Sequence, residues 1–586
     1  AAQQVAAPAN APPAAPQQES VTEELIRMLA QHNALSQADA ETLLKRLQAE
    51  KSASTQPAVS QPASAEAGSA AAAQGNKGDV HVIYVPESQK QKMRDEIKQE
   101  VLATAKAENW AQPNGMPEWI KRISFSGDFR FRNEWDLFDS TNDSFINYQA
   151  INTGSPYDVN ALNSLSTLTP PPTLDTNQDR ERPRLRARIA MDAKVSDELT
   201  ADFRFSTGND NNPVSTDQTL GGEGSASSGD FNRPVFYFDR AYLEYRPLPG
   251  VEAWAGRMPD PWFAPTNLAW YQDLAFDGVA GSYTWQTRGG FAPFATLGAF
   301  SVENTSLNFP STGTAGSGGK VASRDKWLYA GQIGLNYALT PQLSLKQAIA
   351  YYYFSHLNGQ VSSACQAYSA SDACDSDVSR PGFMQKGNTL FELRDLLPNP
   401  NITNPNAAPQ YQYFGLSAPF HELDAAVQLD QALDGPIHLI FSGEAAVNLG
   451  YNRNRVLSLG PPTSIGPVNN FDPCPLKPPP SGCSGPYHAG NVGWQAQLLG
   501  GYPTIRERGE WRLVGGYRYL ESDAVVDAFT DSDFHLGGTN AKGYYLFGAL
   551  GFVHNAWFEA KWFSSREVSG PPLAIDVMQL DLNARF

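Results

Sequence analysis

Residues 123–135 read ISFSGDFRFRNEW, a segment in which apolar and polar side chains alternate. Ile123, Phe125, Phe129 and Phe131 share one parity, whereas serine, aspartate and arginine residues occupy the other. A period of two predicts a β-strand with one apolar face and one polar face. The segment exceeds the roughly 9–11 residues that a tilted strand needs to cross a bilayer. We therefore expect a strand whose apolar face contacts lipid.

The same period recurs in sixteen segments between residue 123 and the end of the sequence. We predict strands at 123–135, 182–195, 199–208, 235–247, 250–258, 277–287, 291–303, 326–338, 341–356, 419–431, 436–449, 491–502, 510–522, 541–553, 556–566 and 574–586. Tight turns such as 196–198 and long loops such as 357–418 alternate strictly along the chain. An even strand number with this alternation is typical of outer-membrane barrels. The predicted fold is all-β, a 16-stranded antiparallel transmembrane β-barrel over 123–586.

The composition of the 586 residues agrees with a barrel. Charged residues make up 18%, below the ~25% of typical soluble domains. The net charge of −17 disfavours nucleic acid as a partner. A soluble sandwich or secreted adhesin is the rival all-β fold, but its strands are usually about five or six residues long. We expect an outer membrane, with the lipid bilayer and lipopolysaccharide as the barrel's surroundings.

The first 122 residues divide into four parts by composition. Residues 1–18 are rich in alanine, proline and glutamine, which predicts disorder, and they lack the features of an export signal, so we interpret them as following a removed one. Apolar stripes in 19–50 predict a helical hairpin, and 51–79 has the composition of a flexible linker. Residues 80–122 form a helical lead-in, which either packs under the barrel or forms a short trimeric coiled coil.

Four cysteines occur as two local pairs, each in a loop rich in proline, serine and glycine. Four cysteines allow three pairings. We predict the local disulfides Cys365–Cys374 and Cys474–Cys483 in preference to a metal site, because no histidine lies at ligand spacing beside either pair. Disulfides indicate an oxidising compartment outside the cytoplasm.

The polar parity of the first three strands faces the lumen if the apolar parity faces lipid. Six arginines then lie on one inner wall, and we call them the arginine ladder: Arg130, Arg132, Arg184, Arg186, Arg188 and Arg204. Asp128, Glu134 and Asp202 share that wall. Guanidinium groups suit carboxylates and phosphates. Two readings stay open and are compatible: the ladder favours anions in transit, or it braces the barrel as a salt-bridge lattice.

The fourth predicted strand, VFYFDRAYLEYRP at 235–247, breaks the strict pattern. Asp239 and Arg240 are adjacent, so they fall on opposite parities and one of them should face lipid. Either a β-bulge or a position near the membrane interface would accommodate this, and the sequence leaves the choice open.

Residues 256–283 read GRMPDPWFAPTNLAWYQDLAFDGVAGSY, in which three prolines interrupt any strand. The segment resembles the part of general porins where the third extracellular loop folds into the lumen and narrows it. The resemblance implies a constriction loop at 259–276, and the residues that give it bulk are Trp262, Phe263, Trp270 and Tyr271. The alternative is an aromatic-rich loop packed at the rim.

The sequence ends in DVMQLDLNARF, an alternating strand closed by Phe586. This ending resembles the C-terminal signal of barrels that the outer-membrane assembly machinery inserts. Enzyme motifs such as G-x-S-x-G, H-E-x-x-H, the P-loop and C-x-x-C are missing from the sequence. We therefore expect no enzymatic activity, no cofactor and no metal. The segment GNDNNPVSTDQTLGG at 208–222 has oxygens suited to Ca²⁺, but we interpret it as a turn-rich solvated surface.

Three segments carry a wider resemblance: VIYVPESQKQKMRDEIKQEVLATAKAENW, WIKRISFSGDFRFRNEW and STGNDNNPVSTDQTLGG. They resemble the "putative porin" family of Gram-negative bacteria over 80–586. The resemblance implies a periplasmic helical lead-in, a porin barrel and, by analogy, a homotrimer. The expected function is passive diffusion of small polar solutes, with a preference for anions or acidic solutes. The alternative is a structural tether, whose helical hairpin binds peptidoglycan or a periplasmic protein.

Overall fold

The computed structural model describes residues 120–159, 171–222, 233–287, 289–307, 320–400, 409–475 and 484–586, with Lys45, Phe231 and Phe309. The predicted disordered segment, helical hairpin and linker, apart from Lys45, and the predicted helix of the lead-in therefore lie outside the described residues. A 3-10 turn at Ile120–Arg122 precedes the first strand. None of the helices in the described ranges is long and apolar enough to cross a bilayer.

Sixteen long strands form one closed antiparallel barrel. They are β1 Ile123–Phe138, β2 Arg180–Lys194, β3 Leu199–Ser206, β4 Tyr237–Tyr245, β5 Val251–Pro259, β6 Ala275–Thr284, β7 Phe291–Glu303, β8 Lys326–Ala338, β9 Leu343–Ser355, β10 His421–Ala432, β11 His438–Asn448, β12 Val492–Gly501, β13 Trp511–Leu520, β14 Ala541–Val553, β15 Ala556–Glu567 and β16 Ala574–Arg585. Each strand pairs with its neighbours in sequence, and β1 pairs with β16 from Asp128↔Arg585 to Phe138↔Ile575. The predicted 16-stranded barrel is confirmed, and three strands have the predicted ends.

The connections define two ends of the barrel. The loop end carries L1 139–179, L2 207–236, L3 260–274, L4 304–325, L5 356–420, L6 449–491, L7 521–540 and L8 568–573. The turn end carries 195–198, 246–250, 285–290, 339–342, 433–437, 502–510 and 554–555. The prediction of strict alternation is wrong at one place, since turn 502–510 is longer than L8. That turn folds back along β14, where the Gly509 N–H donates to the Gly551 carbonyl at 2.9 Å.

Short elements lie within the loops and give them local order. The helices are Tyr148–Thr153 and Arg453–Ser458, and the 3-10 turns are Asp377–Ser379, Asp527–Phe529 and Phe534–Leu536. The short strands are Phe145–Ile146, Tyr157–Asp158, Thr173–Leu174, Gln218–Thr219, Leu390–Glu392, Tyr411–Gln412 and Phe414–Leu416. The disulfide Cys365–Cys374 in L5 is confirmed. Cys483 lies outside the described residues, so the Cys474–Cys483 pairing stays a prediction.

The alternation of side chains separates an apolar outer face from a polar inner face. Phe125 is 66% exposed on the outside of β1, whereas Arg132 on the same strand is 0% exposed. Ile333 and Leu297 are also exposed outward, as a lipid-facing belt requires. The period of two in the sequence therefore became two faces of one wall, because successive side chains point to opposite sides of a strand.

A β-bulge explains the irregular parity of β4. Arg204 pairs with Arg240 and Phe205 pairs with Phe238, which leaves Asp239 as an extra residue between them. A bulge lets two consecutive residues share one face. Asp239 contacts Arg204, and Arg240 lines the same inner cavity as Arg204. Both charged residues thus avoid lipid, and the open question from the sequence is answered by the bulge.

Apolar residues of several loops pack together inside the loop end. This cluster, the loop core, includes Ile151 of L1, Trp270 of L3, Phe391 and Phe414 of L5, and Val525 of L7, all of them buried. A barrel whose outside faces lipid can bury apolar loop residues only inside its lumen or among other loops. The loop core therefore occupies much of the space at the loop end.

Candidate functional site: the barrel lumen

All six residues of the arginine ladder point inward. Arg130 lies directly opposite Arg186, and Arg132 lies opposite Arg184, across the β1–β2 pairing. Like charges placed directly opposite one another on paired strands are destabilising. The ladder must therefore be compensated by carboxylates from elsewhere in the structure.

Carboxylates from three inward-folded loops supply much of this compensation. Arg130 contacts Asp217 of L2. Arg132 contacts Asp533 of L7 at 3.0 Å between Nη1 and Oδ2, and Asp581 of β16 at 2.7 Å between Nε and Oδ1. These acidic partners were missed in the sequence analysis, because the pairs with Arg132 join residues that are hundreds of positions apart. The alternating pattern that ends at Phe586 could have placed Asp581 on the inner face. No local sequence pattern predicts that Asp533 contacts the ladder.

The lower part of the ladder forms a neutral square of two arginines and two aspartates. The Arg188 Nη1 lies 2.6 Å from Asp273 Oδ1, and its Nε lies 2.7 Å from Asp128 Oδ2. The Arg186 Nη1 lies 3.2 Å from Asp273 Oδ2, and its Nη2 lies 2.9 Å from Asp128 Oδ1. The predicted wall residue Asp128 thus bridges both arginines, and Asp273 reaches them from L3.

The loop carboxylates titrate at low pH because the ladder surrounds them. Burial raises the pKa of Asp533, but Arg132, Lys561 and Arg130 outweigh it and leave a pKa of about 2. The same balance of burial and arginine charge holds the pKa of Asp217 well below its ordinary value. Both carboxylates are therefore charged at neutral pH, where they compensate the ladder.

Segment 208–222 is not the solvated surface that its composition suggested. Val214 and Gln218 are buried, and Asp217 faces Arg130. The Asn212 side chain accepts hydrogen bonds from the backbone N–H groups of Val214 and Ser215. The polar residues of the segment thus form hydrogen bonds within its own turns and an ion pair with the ladder. Within the described ranges, no group of three or more metal-ligating His, Cys, Asp or Glu residues occurs.

Loop L3 crosses the lumen to the opposite wall. The Thr266 Oγ1 donates to Glu444 Oε2 of β11 at 2.6 Å. The Arg518 Nη2 of β13 donates to the Asn267 carbonyl at 2.7 Å. Because L3 starts at β5 and its Asp273 returns to the ladder on β2, it spans the interior between these walls. The structure therefore places L3 inside the barrel, and its effect on ion flow stays a prediction.

The four aromatic residues predicted for L3 have two different environments. Trp262, Trp270 and Tyr271 are buried, and the Trp270 ring packs edge-on against Tyr352 at 5.1 Å between centroids. Phe263 is only partly buried, and the Lys346 Nζ lies 4.4 Å from its ring centroid, a cation–π contact. Phe263 thus differs from the other three aromatic residues, because its ring is partly accessible and contacts a cation.

The loop end also encloses a chamber of about 540 Å³. Its apolar wall consists of Trp270, Phe276, Phe300, Phe354 and Phe529. A chamber of this size lies within the range of small-molecule pockets.

Two buried carboxyl groups of L7 titrate near neutrality. Burial raises the pKa of Asp523 to about 6 and that of Asp527 to about 7. Thr389 of L5 donates to Asp523 at 2.6 Å, so the carboxyl groups lie at the contact between L5 and L7. Because the folded pKa exceeds the unfolded value of about 4, their contribution to stability is complete below pH ~4 and is lost as pH rises through 6–7.

We expect L7 to loosen as the pH rises from 5 to 8. Hydrogen exchange, corrected for intrinsic rates, should show protection of the 521–536 amides falling about tenfold or more, since one unit of pKa corresponds to ~1.4 kcal/mol. Strand amides of β15 provide the internal control and should keep their protection. Equal protection of L7 at both pH values would contradict the assignment.

The predicted assembly residue Phe586 lies at the seam of the barrel. Its backbone N–H donates to the Gly127 carbonyl at 3.0 Å, and Gly127 donates back at 3.1 Å. A Cβ on Gly127 would lie 2.5 Å from the Phe586 ring and 2.6 Å from the Arg188 carbonyl oxygen, so only glycine fits there. The ring covers the β1–β16 seam, and the role of Phe586 as an assembly signal stays a prediction.

Three solved structures are similar to this chain. The outer membrane channel DcaP of Acinetobacter baumannii is 9% identical over 79% of this chain and 97% of its own, with a TM-score of 0.35. Pseudomonas putida OprB is 10% identical over 80% and 95%, with a TM-score of 0.40. An anion-selective porin from Comamonas acidovorans is 10% identical over 79% and 99%, with a TM-score of 0.34. Comparison with curated proteins gave no match.

A family model described as putative porin matches residues 19–586. The match extends from within the predicted helical hairpin to the final residue, so it includes the whole barrel. Together with the closed barrel, it supports a channel in the outer membrane rather than an enzyme. The chain belongs to the putative porin family.

Proposed function

We propose that this protein allows passive diffusion of small polar solutes through the lumen, and that the arginine ladder gives it a preference for anions or acidic solutes. The observation that carries the proposal is the inward position of arginines on three adjacent strands. The side chains of Arg182, Arg186, Arg188 and Arg204 keep partial exposure to the lumen. Flow would follow the concentration gradient, with no covalent step.

The ion pairs of the ladder also support a bracing role. Arg130 and Arg132 are engaged by loop or strand carboxylates and are almost fully buried. Selectivity would then come from the ladder residues whose side chains remain partly accessible, such as Arg186, Arg188 and Arg204. Bracing would come from those that are buried.

Replacing Arg186 and Arg188 with glutamate should change the ion selectivity toward cations. The double substitution alters the lumen charge by four units, beside Asp128 and Asp273, which would lose their partners. Reversal potentials across a planar bilayer under a salt gradient measure the effect, and the variant should shift the sign or move it severalfold. The Arg186→Lys and Arg188→Lys double variant is the control and should keep the original potential. An unchanged potential in the glutamate variant would refute the selectivity proposal.

The loop core also fits the tether alternative, because apolar residues packed inside the loop end could block the barrel and a tether does not need to conduct. Removal of residues 1–79 distinguishes the two functions. A porin without this segment should still conduct in bilayers, whereas a tether should lose its envelope phenotype in cells and show little conductance in either form. The expected result is unchanged conductance.

A homotrimer and a periplasmic position of the N-terminal region are proposed on the family resemblance, and cross-linking in membranes would test the trimer.

A further inference from the structure

A cavity of about 400 Å³ lies at the turn end, beside strands β1 to β4. Its charged lining consists of Asp128, Arg188, Asp192, Asp202, Arg204, Arg240 and Arg585. The volume lies within the range of small-molecule pockets. Some charged side chains of this lining have no partner of opposite charge, and their positions indicate the class of solute that fits the cavity.

Two cations of the lining, Arg240 and Arg585, make no ion pair within the described residues, and Arg585 instead donates to the Ile505 carbonyl. Arg186 and Arg188 share the neutral square with Asp128 and Asp273, and Arg204 is paired with Asp239. Arg240 makes no ion pair and its buried Nε has no hydrogen-bond partner among the described residues. The charged groups that act on it most strongly are Arg204 and then Asp239. An uncompensated guanidinium next to a cavity is suited to bind a carboxylate.

The bulge in β4 produces this imbalance. It turns both Asp239 and Arg240 to the inner face. Asp239 then forms an ion pair with Arg204, and Arg240 is left without an ion-pair partner among the described residues. A regular strand would have placed only one of the two residues in the lumen. The uncompensated charge is therefore a consequence of local backbone geometry.

Two carboxylates lie at the other side of the cavity, and the charge of Arg246 acts on one of them, Asp202. Asp192 and Asp202 lie directly opposite each other across β2 and β3. Neither makes an ion pair within the described residues, and the buried Asp202 Oδ2 has no hydrogen-bond partner there. Arg240 pairs with Arg204 across β3 and β4. Asp202 lies two residues from Arg204 along β3, a separation of ~6.7 Å between these two residues. The cavity is thus cationic on one side and anionic on the other.

We propose that this cavity binds a small zwitterion of the amino-acid type, with its carboxylate on Arg240 and its ammonium group between Asp192 and Asp202. Such a solute satisfies the unpaired groups on both sides, because its ammonium group can replace the hydrogen bond that the Asp192 and Asp202 carboxyl groups share. A simple anion has no group that could do so. The inference narrows the solute class of the proposed channel and depends on that function only for its role in transport. Binding itself can be measured without conduction.

Titration calorimetry of the purified full chain in detergent tests the proposal, with glycine, sodium acetate and methylammonium chloride as probes. Glycine should bind at least tenfold more tightly than acetate or methylammonium. Arg240→Gln should weaken glycine binding at least tenfold, and Asp202→Asn should reduce glycine to the affinity of acetate. Arg180→Gln is the matched control, because Arg180 lies at the loop end of β2, away from the cavity, and is half-exposed and paired with Asp136. It should leave binding unchanged.

Three results would overturn the proposal: equal affinity for glycine and acetate, no binding of glycine, or glycine binding that survives Arg240→Gln. Arg240→Lys keeps the charge but loses the planar fork, so a folded variant with intermediate affinity supports the site if Arg240→Gln fails to fold. Glycine flux into liposomes separates the two claims. Binding without flux would reject the channel function alone, whereas flux without binding would reject this site alone.

Discussion

Replacing Arg132 with methionine is expected to lower the free energy of unfolding of the barrel by about 3–5 kcal/mol, the range found when one partner of a buried ion pair is removed. Arg132 is completely buried and lies within ion-pair distance of Asp217, Asp533 and Asp581. Methionine would fill much of the volume but would leave these carboxylates without their shared cation. Chemical denaturation of the refolded protein in detergent, followed by tryptophan fluorescence, measures the loss.

Arg180→Met is the matched control for this experiment. Arg180 also lies on the inner parity of the ladder strands and pairs with Asp136 at 2.8 Å, but its side chain is 49% exposed. Exposed ion pairs contribute only about 0–1 kcal/mol. A similar loss in both variants would show that Arg132 has no special role in joining L2, L7 and β16 to the wall.

Deleting residues 261–271 is expected to raise single-channel conductance severalfold. This part of L3 contains Trp262, Phe263 and Trp270, which fill the interior, and Thr266, which anchors the loop to Glu444. Its removal would open the lumen where the loop now crosses it. Planar-bilayer recordings measure the change, and the heat-dependent shift in gel mobility shows whether the variant has folded.

Thr266→Val and Thr266→Ser give a milder version of the same test. Valine keeps the shape of threonine but cannot donate to Glu444, whereas serine retains the hydroxyl group. The valine variant should show noisier or larger currents, and the serine variant should resemble the parent. Conductance that is unchanged by the deletion itself would show that L3 does not limit flow, even though it lies in the lumen.

The distribution of charge suggests why a porin would carry so many paired arginines. Loop carboxylates such as Asp217 and Asp273 attach L2 and L3 to the ladder, so the ladder holds the loops inside the barrel. At the turn end, Arg240 makes no ion pair within the described residues, so a cation remains there for a solute. Structural support and solute recognition therefore use the same residue type at different heights of one wall.

The strand pattern was predictable because the sequence of each transmembrane strand reflects the two environments that its own side chains face. Lipid on one side and the lumen on the other impose a period of two, and this signal is local, as in Phe129, Arg130, Phe131 and Arg132. The sixteen strands, their antiparallel order and the inward parity of the ladder all follow from it. The local disulfide Cys365–Cys374 was predictable for the same reason.

The partners of the ladder were decided only by the tertiary structure. Asp533 reaches Arg132 from a position 401 residues away, and no local pattern encodes that contact. The bulge that turns Arg240 inward depends on the pairing of β4 with β3, and L3 is fixed in the lumen by Glu444 on a distant strand. The sequence determined which side chains face inward, because burial is set residue by residue. The closed barrel decided which charges meet and which remain free, because those contacts form only when distant strands and loops converge.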